Sequence, residues 1–495
     1  MWSAWGRATF AKRMTDHLTP LDATFLELEQ ADESAHMHIG GALVFDPRPD
    51  GSVPSLEELR EHLDVRLGHL ARYRRRLSEP RTGGLRWPAW EDDEHFELDA
   101  HVRRAALPAP GGDAELCDWL GDYWSHRLDR HRPLWEIVLL EGLEDGRWAL
   151  VTKTHHSMVD GVGSVDAGYL MLDSDAQPAG ESEISVAAQA EGPRPHWAGG
   201  EHRSRGSQLV GALRWMPEHA LRALRGGTDV ALHPHKALEI LERSRATVEV
   251  LLRDEVNAAP PSSLNCGIGA TRTFALVRVP LADLKAVKGS LGGTVNDVAL
   301  AAVAGGLRRL LDARGEEPAR QGLRAMVPMN VRQASEKLAL GNRISSLFVH
   351  LPVAADTTAD RYERVMAEAE SLKKGTQALG TSTIISLAGL APPALHAFIA
   401  RALYATRLFN VTVTNVPGPQ TTLYALGARL REIVPLVPLA AEHAVGVAIF
   451  SYDGTVVFGI NAATDAVPDL DVLRDGIAAE IDALRELAQR ADFAQ

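Results

Sequence analysis

The feature that most limits how this chain can fold is a break near its middle. From Ser174 to Gln208 the sequence is rich in Ala, Gly, Ser, Pro and acidic residues and has little hydrophobic periodicity. Such a stretch has nothing to bury and reads as an exposed linker. On either side lies a block that mixes strand and helix signals. The expected architecture is therefore α/β, with mixed sheets in two subdomains. The chain has 495 residues, more than one ordinary core supports. The expected layout is an N-terminal subdomain over residues 14–173, a linker with connecting helices over 174–264, and a C-terminal subdomain over 265–490.

In the first block, Ile39 to Phe45 reads as a strand and Leu56 to Tyr73 has helical apolar spacing. Trp135 to Leu140 and Trp148 to Thr154 are short aliphatic runs separated by the turn-like Glu144-Asp145-Gly146. They predict a hairpin whose second strand ends at two histidines, with a helix over Val162 to Leu172 after it. Leu209 to Val256 reads as helical. In the second block, the strand candidates are Phe274–Val279, Ser345–Leu351, Val411–Thr414, Val445–Phe450 and Val456–Ile460. The helix candidates are Val298–Leu311, Thr358–Lys374 and Asp469–Gln489, the first of them apolar enough for a core helix. Asn415 to Pro419 holds two prolines around a glycine and predicts a stiff turn. The uncharged run from Gly375 to Ala400 is broken by glycines and by Pro392-Pro393, a poor membrane span.

Composition narrows the function. A net charge of −13 repels a phosphate backbone, so nucleic acid is not an expected partner. A local basic patch can still hold a small anionic ligand, and Arg72 to Arg76 is such a run, although a charge run at a helix end reads more simply as a solvated face. Cys117 and Cys266 give neither metal spacing nor a disulfide framework and point to a reducing cytosol. The segment Met1 to Asp16 lacks the apolar core of a signal peptide. Its Arg7, Lys12 and Arg13 among aromatic residues suit either contact with an anionic membrane or a frayed extension ahead of Met14. The expected location is cytoplasmic, with peripheral contact on the inner face of the membrane left open.

The sharpest chemical signal is His155-His156-Ser157-Met158-Val159-Asp160-Gly161. It lies between a predicted strand and a predicted helix, where a turn projects a side chain into a cleft. An imidazole near its ordinary pKa can take a proton from a hydroxyl at neutral pH. Asp160 suits a helix cap and Gly161 eases the turn. Two strand-end histidines bonded to water or backbone are the plainer reading of the same residues.

The pattern His-His-x-x-x-Asp-Gly resembles the signature of the chloramphenicol-acetyltransferase-like acyltransferases and condensation domains. More closely, the chain resembles the bacterial wax ester synthase/diacylglycerol acyltransferase family. Five further segments carry the resemblance, in the family's order: Leu18-Thr19-Pro20-Leu21-Asp22 with Phe25-Leu26, Arg132 to Glu136, Thr294 to Val298, Thr414 to Pro419, and Gly446 to Tyr452.

The resemblance implies two chloramphenicol-acetyltransferase-like subdomains with a channel between them. Acyl-CoA and an acceptor, diacylglycerol or a long-chain alcohol, enter it from opposite faces. CoA serves as substrate carrier, and no metal or other cofactor is expected. The second histidine of the motif is the base, so His156 takes that role; His155 supports the geometry and Asp160 is structural. Asn296 and Gly161 are the candidate substrate-contacting positions. Thr294 to Asp297 is also a capping-box pattern, which gives that segment a purely structural alternative. Pro133-Leu134-Trp135 reads more simply as core than as a substrate contact. A membrane or lipid-droplet surface is a possible partner. Two rivals remain: a condensation-type transferase using carrier-bound acyl groups, and a non-catalytic lipid-binding protein on the same fold.

Overall fold

The computed structural model describes residues 16–67, 70–79, 87–158, 171–176, 259–330, 344–374 and 408–493. All but the last two residues of the predicted helix over 162–172, the predicted helix over 209–256, the apolar run over 375–400 and most of the linker lie outside them. In chain order the strands are β1 (Asp16–His17), β2 (His38–Phe45), β3 (Arg75–Leu77), β4 (Ala89–Asp92), β5 (Val102–Ala106), β6 (Trp135–Glu141), β7 (Trp148–His155) and β8 (Arg272–Pro280). They continue as β9 (Leu323–Asn330), β10 (Ile344–Leu351), β11 (Val411–Pro417), β12 (Tyr424–Ala425), β13 (Ala428–Leu436), β14 (Val445–Tyr452) and β15 (Thr455–Ala463). The α-helices are α1 (Pro20–Ala31), α2 (Leu56–Leu67), α3 (Asp113–Trp124), α4 (Leu281–Leu291), α5 (Val295–Ala313), α6 (Thr358–Lys374) and α7 (Leu470–Phe493).

Two six-stranded mixed sheets dominate. One has the order β12-β13-β2-β7-β6-β5 and the other β10-β9-β11-β14-β15-β8. The first contains the predicted hairpin, β6 and β7, antiparallel and joined through a 3-10 turn at Glu144–Gly146. Its edge comes from far along the chain: β13 pairs antiparallel with β2, so residues 424–436 complete the N-terminal sheet. In the second sheet β11 runs parallel to both β9 and β14. A small sheet, β1-β4-β3, lies apart from these.

The sheets share an apolar layer. Ala42, Val44 and Val151 from the first, with Leu120 and Trp124 of α3, pack with Phe274, Leu276 and Val457 from the second. A polar clamp crosses the same seam. The Arg278 guanidinium of β8 donates to both Glu432 carboxylate oxygens on β13, at 2.6 and 2.8 Å, and to Asp113 on α3 at 2.6 Å. These carboxylates raise the Arg278 pKa above its ordinary value even though burial opposes the charge.

Helix α5 is buried from Asp297 through Leu307, as its apolar sequence predicts. It is pressed so closely on α7 that a Cβ at Gly306 would sit 2.5 Å from Ile477 Cγ1. Trp135 is 1% exposed and donates its indole N–H to the Tyr73 carbonyl at 2.8 Å, so it is a core residue. Arg74, Arg75 and Arg76 pair with Asp64, Asp92 and Glu91 at 2.7, 2.9 and 3.1 Å, which fits a solvated, self-neutralised face. The turn predicted over Asn415 to Pro419 is corrected: β11 continues through Asn415 and Val416 to Pro417. Pro417 can sit at a strand end because it needs no donor there, and the next amide, Gly418 N–H, bonds Ser451 O at 2.8 Å.

Candidate active site

The site begins with a strand end and a helix that lies beside it. Thr19 caps α1 by accepting from the Asp22 N–H at 3.2 Å, Asp22 returns the bond to the Thr19 N–H at 3.1 Å, and Pro20 occupies the first turn. This start sets the phase of the helix. Phe25 and Glu29, four residues apart, then share one face. Opposite them, β7 ends at His155, which is the Cα partner of His38 on β2. Close approach of these strands depends on Gly40, whose φ is +151° and where a Cβ would meet Thr152 O at 1.8 Å.

Beyond His155 the chain turns. Met158 N–H bonds His155 O at 2.9 Å, and His156 N–H bonds Met37 O at 2.8 Å. The turn divides the histidine pair. His155 is 1% exposed. His156 is only partly buried, and its ring stacks on Phe25 with centroids 3.9 Å apart and planes at 13°. Its neighbours Ser157 and Met158 are fully buried anchors.

His155 is wired into the interior. Its Nδ1 accepts from the Ser157 N–H at 3.1 Å and lies 2.7 Å from Ser157 Oγ. Its Nε2 lies 3.4 Å from Glu29 Oε2. Glu29 is 2% exposed and also faces His38 Nε2 at 3.3 Å and Arg130 Nη2 at 3.3 Å. The two imidazole contacts are longer than well-formed hydrogen bonds. Burial alone would raise the Glu29 carboxyl, but the imidazoles of His155 and His38 outweigh it and hold its pKa far below the usual carboxylate range. Burial pushes His38 the other way for a base, down to about 3 against the pull of Glu29, so that ring is neutral at pH 7.

Asn296 occupies the first turn of α5. Thr294 and Asp297 form the capping box, with bonds of 2.8 and 3.2 Å, so the structural role falls to Asp297 and leaves the Asn296 amide free of that task. Asn415 Nδ2 donates to Asn296 Oδ1 at 3.0 Å. The next β11 residue, Val416, packs on the apolar cluster that holds Leu26 and Met158. Asp160 and Gly161 lie outside the described residues.

Sequence reading missed Glu29, His38, Arg130 and the role of Phe25. The last had a signal: it lies in the quoted Leu18 to Leu26 segment, four residues before a glutamate on the same helix. Among the described residues no cluster of His, Cys, Asp and Glu could hold a metal ion, and no helix is long and apolar enough to cross a membrane.

Comparison with known proteins identifies the family. The family model of the wax ester synthase/diacylglycerol acyltransferase catalytic domain matches residues 18–299, and that of the family's C-terminal domain matches 340–485. A Mycobacterium tuberculosis protein named as a diacylglycerol O-acyltransferase is 32% identical over 477 residues, covering 96% of this chain and 97% of the relative. A second one from that organism is 33% identical over 466 residues, covering 92% and 96%. The solved wax ester synthase/diacylglycerol acyltransferase of Marinobacter aquaeolei is 26% identical, with a TM-score of 0.66 over 96% of this chain and 100% of that one. The starter condensation domain of rhizomide synthetase, 13% identical with a TM-score of 0.56 over 96% of this chain and 94% of that one, shares the fold. With both family domains matched in order and relatives aligned along nearly its whole length, the chain belongs to the wax ester synthase/diacylglycerol acyltransferase family and is an acyltransferase of that class.

Proposed function

We propose that this protein transfers a long acyl chain from CoA to diacylglycerol, forming triacylglycerol, with long-chain alcohols as a second class of acceptor and His156 as the general base. The observation that carries this reading is the division of labour in the histidine pair. His155 is locked in the interior, whereas His156 stands at a turn, partly exposed, with its ring oriented by Phe25.

An alcohol has a pKa near that of water, about 16, and is a poor nucleophile at neutral pH. The His156 imidazole takes the hydroxyl proton as the oxygen attacks the thioester carbonyl. The C–S bond then breaks, and the imidazolium returns the proton to the departing thiolate. The products are an ester and free CoA, and the base is regenerated. Such a base contributes ~10²–10⁴ in rate. The Asn296 amide, held through its oxygen by Asn415, turns its N–H groups elsewhere and suits polarisation of the thioester carbonyl. The substrates meet in a channel between the two sheet systems. Because diacylglycerol resides in lipid, the protein works at a membrane or lipid-droplet surface.

The test is product analysis with purified protein and labelled palmitoyl-CoA, offered diacylglycerol and hexadecanol separately. Triacylglycerol formation with release of free CoA supports the reading. Acyl transfer only from a carrier-tethered thioester, or lipid binding with no transfer, would contradict it.

A further inference from the structure

We propose that Glu29 is a positioning residue for the histidine pair: it accepts a hydrogen bond from the Nε2–H of His155 and so fixes the ring tautomer that holds the turn presenting His156. The proposal rests on the reading of His156 as the base. A carboxylate that is 2% exposed is costly to keep in an interior. The residues around it show what it is kept for.

The argument starts from the other side of the His155 ring. A backbone N–H can only donate, and the Ser157 N–H points at Nδ1 from 3.1 Å. Nδ1 of the neutral ring therefore carries a lone pair, and Ser157 Oγ, 2.7 Å away, can add its own proton to the same acceptor. The ring's single proton must then sit on Nε2. That atom is buried and faces Glu29 Oε2 at 3.4 Å. Removing the carboxylate leaves a buried N–H with no acceptor. The ring escapes that penalty by moving its proton to Nδ1, which sets two donors against each other at Ser157 and loosens the turn closed by Met158 N–H on His155 O.

Helix α1 thus grips both imidazoles, one turn apart: Phe25 beneath His156 and Glu29 against His155. Arg130 steadies the anion at 3.3 Å and also donates to Leu26 O at 3.1 Å, tying it to the same helix. Glu29 touches neither the acyl group nor the acceptor in this scheme.

The experiment uses full-length protein with ¹⁵N-labelled histidine, with H155N to assign the resonances. Long-range ¹H–¹⁵N spectra report the tautomer of each ring, and steady-state assays report kcat and KM for palmitoyl-CoA. In the wild type we expect His155 protonated at Nε2. In E29L we expect a shift toward the Nδ1 tautomer and a kcat lower by about 10- to 100-fold at unchanged KM, the range typical of losing an outer partner that orients a functional imidazole. E29Q, which keeps an acceptor oxygen, should restore the Nε2 tautomer and most of kcat. A wild-type His155 protonated at Nδ1, or E29L with unaltered tautomer or kcat, overturns the proposal. If E29L does not fold, the wild-type tautomer and the E29Q rescue decide it. Should H156Q retain full activity, the reading of the base fails, whereas the tautomer data still judge Glu29 separately.

Discussion

Replacing His38 with Gln should make the protein less sensitive to acid, by an amount that follows from the ring's burial. His38 is 1% exposed, and its native pKa is about 3 against an ordinary value of 6.5. Its pKa is depressed, so between those values the unfolded chain binds a proton that the native ring refuses. Stability from this group is complete above pH 6.5 and is lost as pH falls toward 3. At pH 5 the unfolded ring has gained about 1.5 pH units of proton binding and the native ring almost none. At about 1.4 kcal/mol per unit, His38 costs the native state about 2 kcal/mol between pH 8 and pH 5. Gln fills similar space, can still hydrogen-bond to Glu29 and does not titrate. Urea unfolding of both proteins at the two pH values gives the answer. The wild type should lose about 2 kcal/mol more than H38Q on acidification. Equal losses, or a smaller loss in the wild type, would refute the claim that a neutral imidazole is buried beside Glu29. Other buried histidines with lowered pKa values, among them His36, His101 and His443, act in the same direction but cancel in the comparison.

Further outcomes follow from named contacts. F25L keeps the apolar packing on Leu28 and Met37 but removes the stack on His156; with such stacks worth about 0.5–1.5 kcal/mol, kcat should fall about 2- to 10-fold with KM and melting temperature nearly unchanged, read by steady-state kinetics and calorimetry. R278M leaves Glu432, 5% exposed, without its cation and should cost about 3–5 kcal/mol in denaturant unfolding, whereas adding E432M should recover most of that loss.

Much of the fold could be read from short apolar runs. The hairpin carrying the histidines, the core helix α5 and the strands β14 and β15 all lie where β-branched and aliphatic periodicity puts them. Strand β13 could not be read this way, because its residues 428–436 alternate charged and apolar side chains and include Pro435. Its strand character comes from pairing with β2, almost the whole chain away. The prolines around Gly418 misled in the opposite direction: a parallel neighbour, β14, holds Asn415 to Pro417 extended despite them. At the site, His155 and His156 stand out in sequence because adjacent histidines are chemically conspicuous. Glu29 does not, since Leu28-Glu29-Gln30 looks like any wet helix face until strand β2 and the histidine turn close over it. Asn296 could be singled out, but its partner Asn415 lies 119 residues away and only the sheet brings them together.

The central claim is that His156, and not its buried neighbour, moves the acceptor's proton. It is tested most directly by kcat of H156Q with palmitoyl-CoA and diacylglycerol at saturation, with thermal unfolding measured in parallel. The account predicts a loss of ~10²–10⁴ in kcat with the unfolding midpoint unchanged. A folded H156Q enzyme turning over within tenfold of wild type would contradict it.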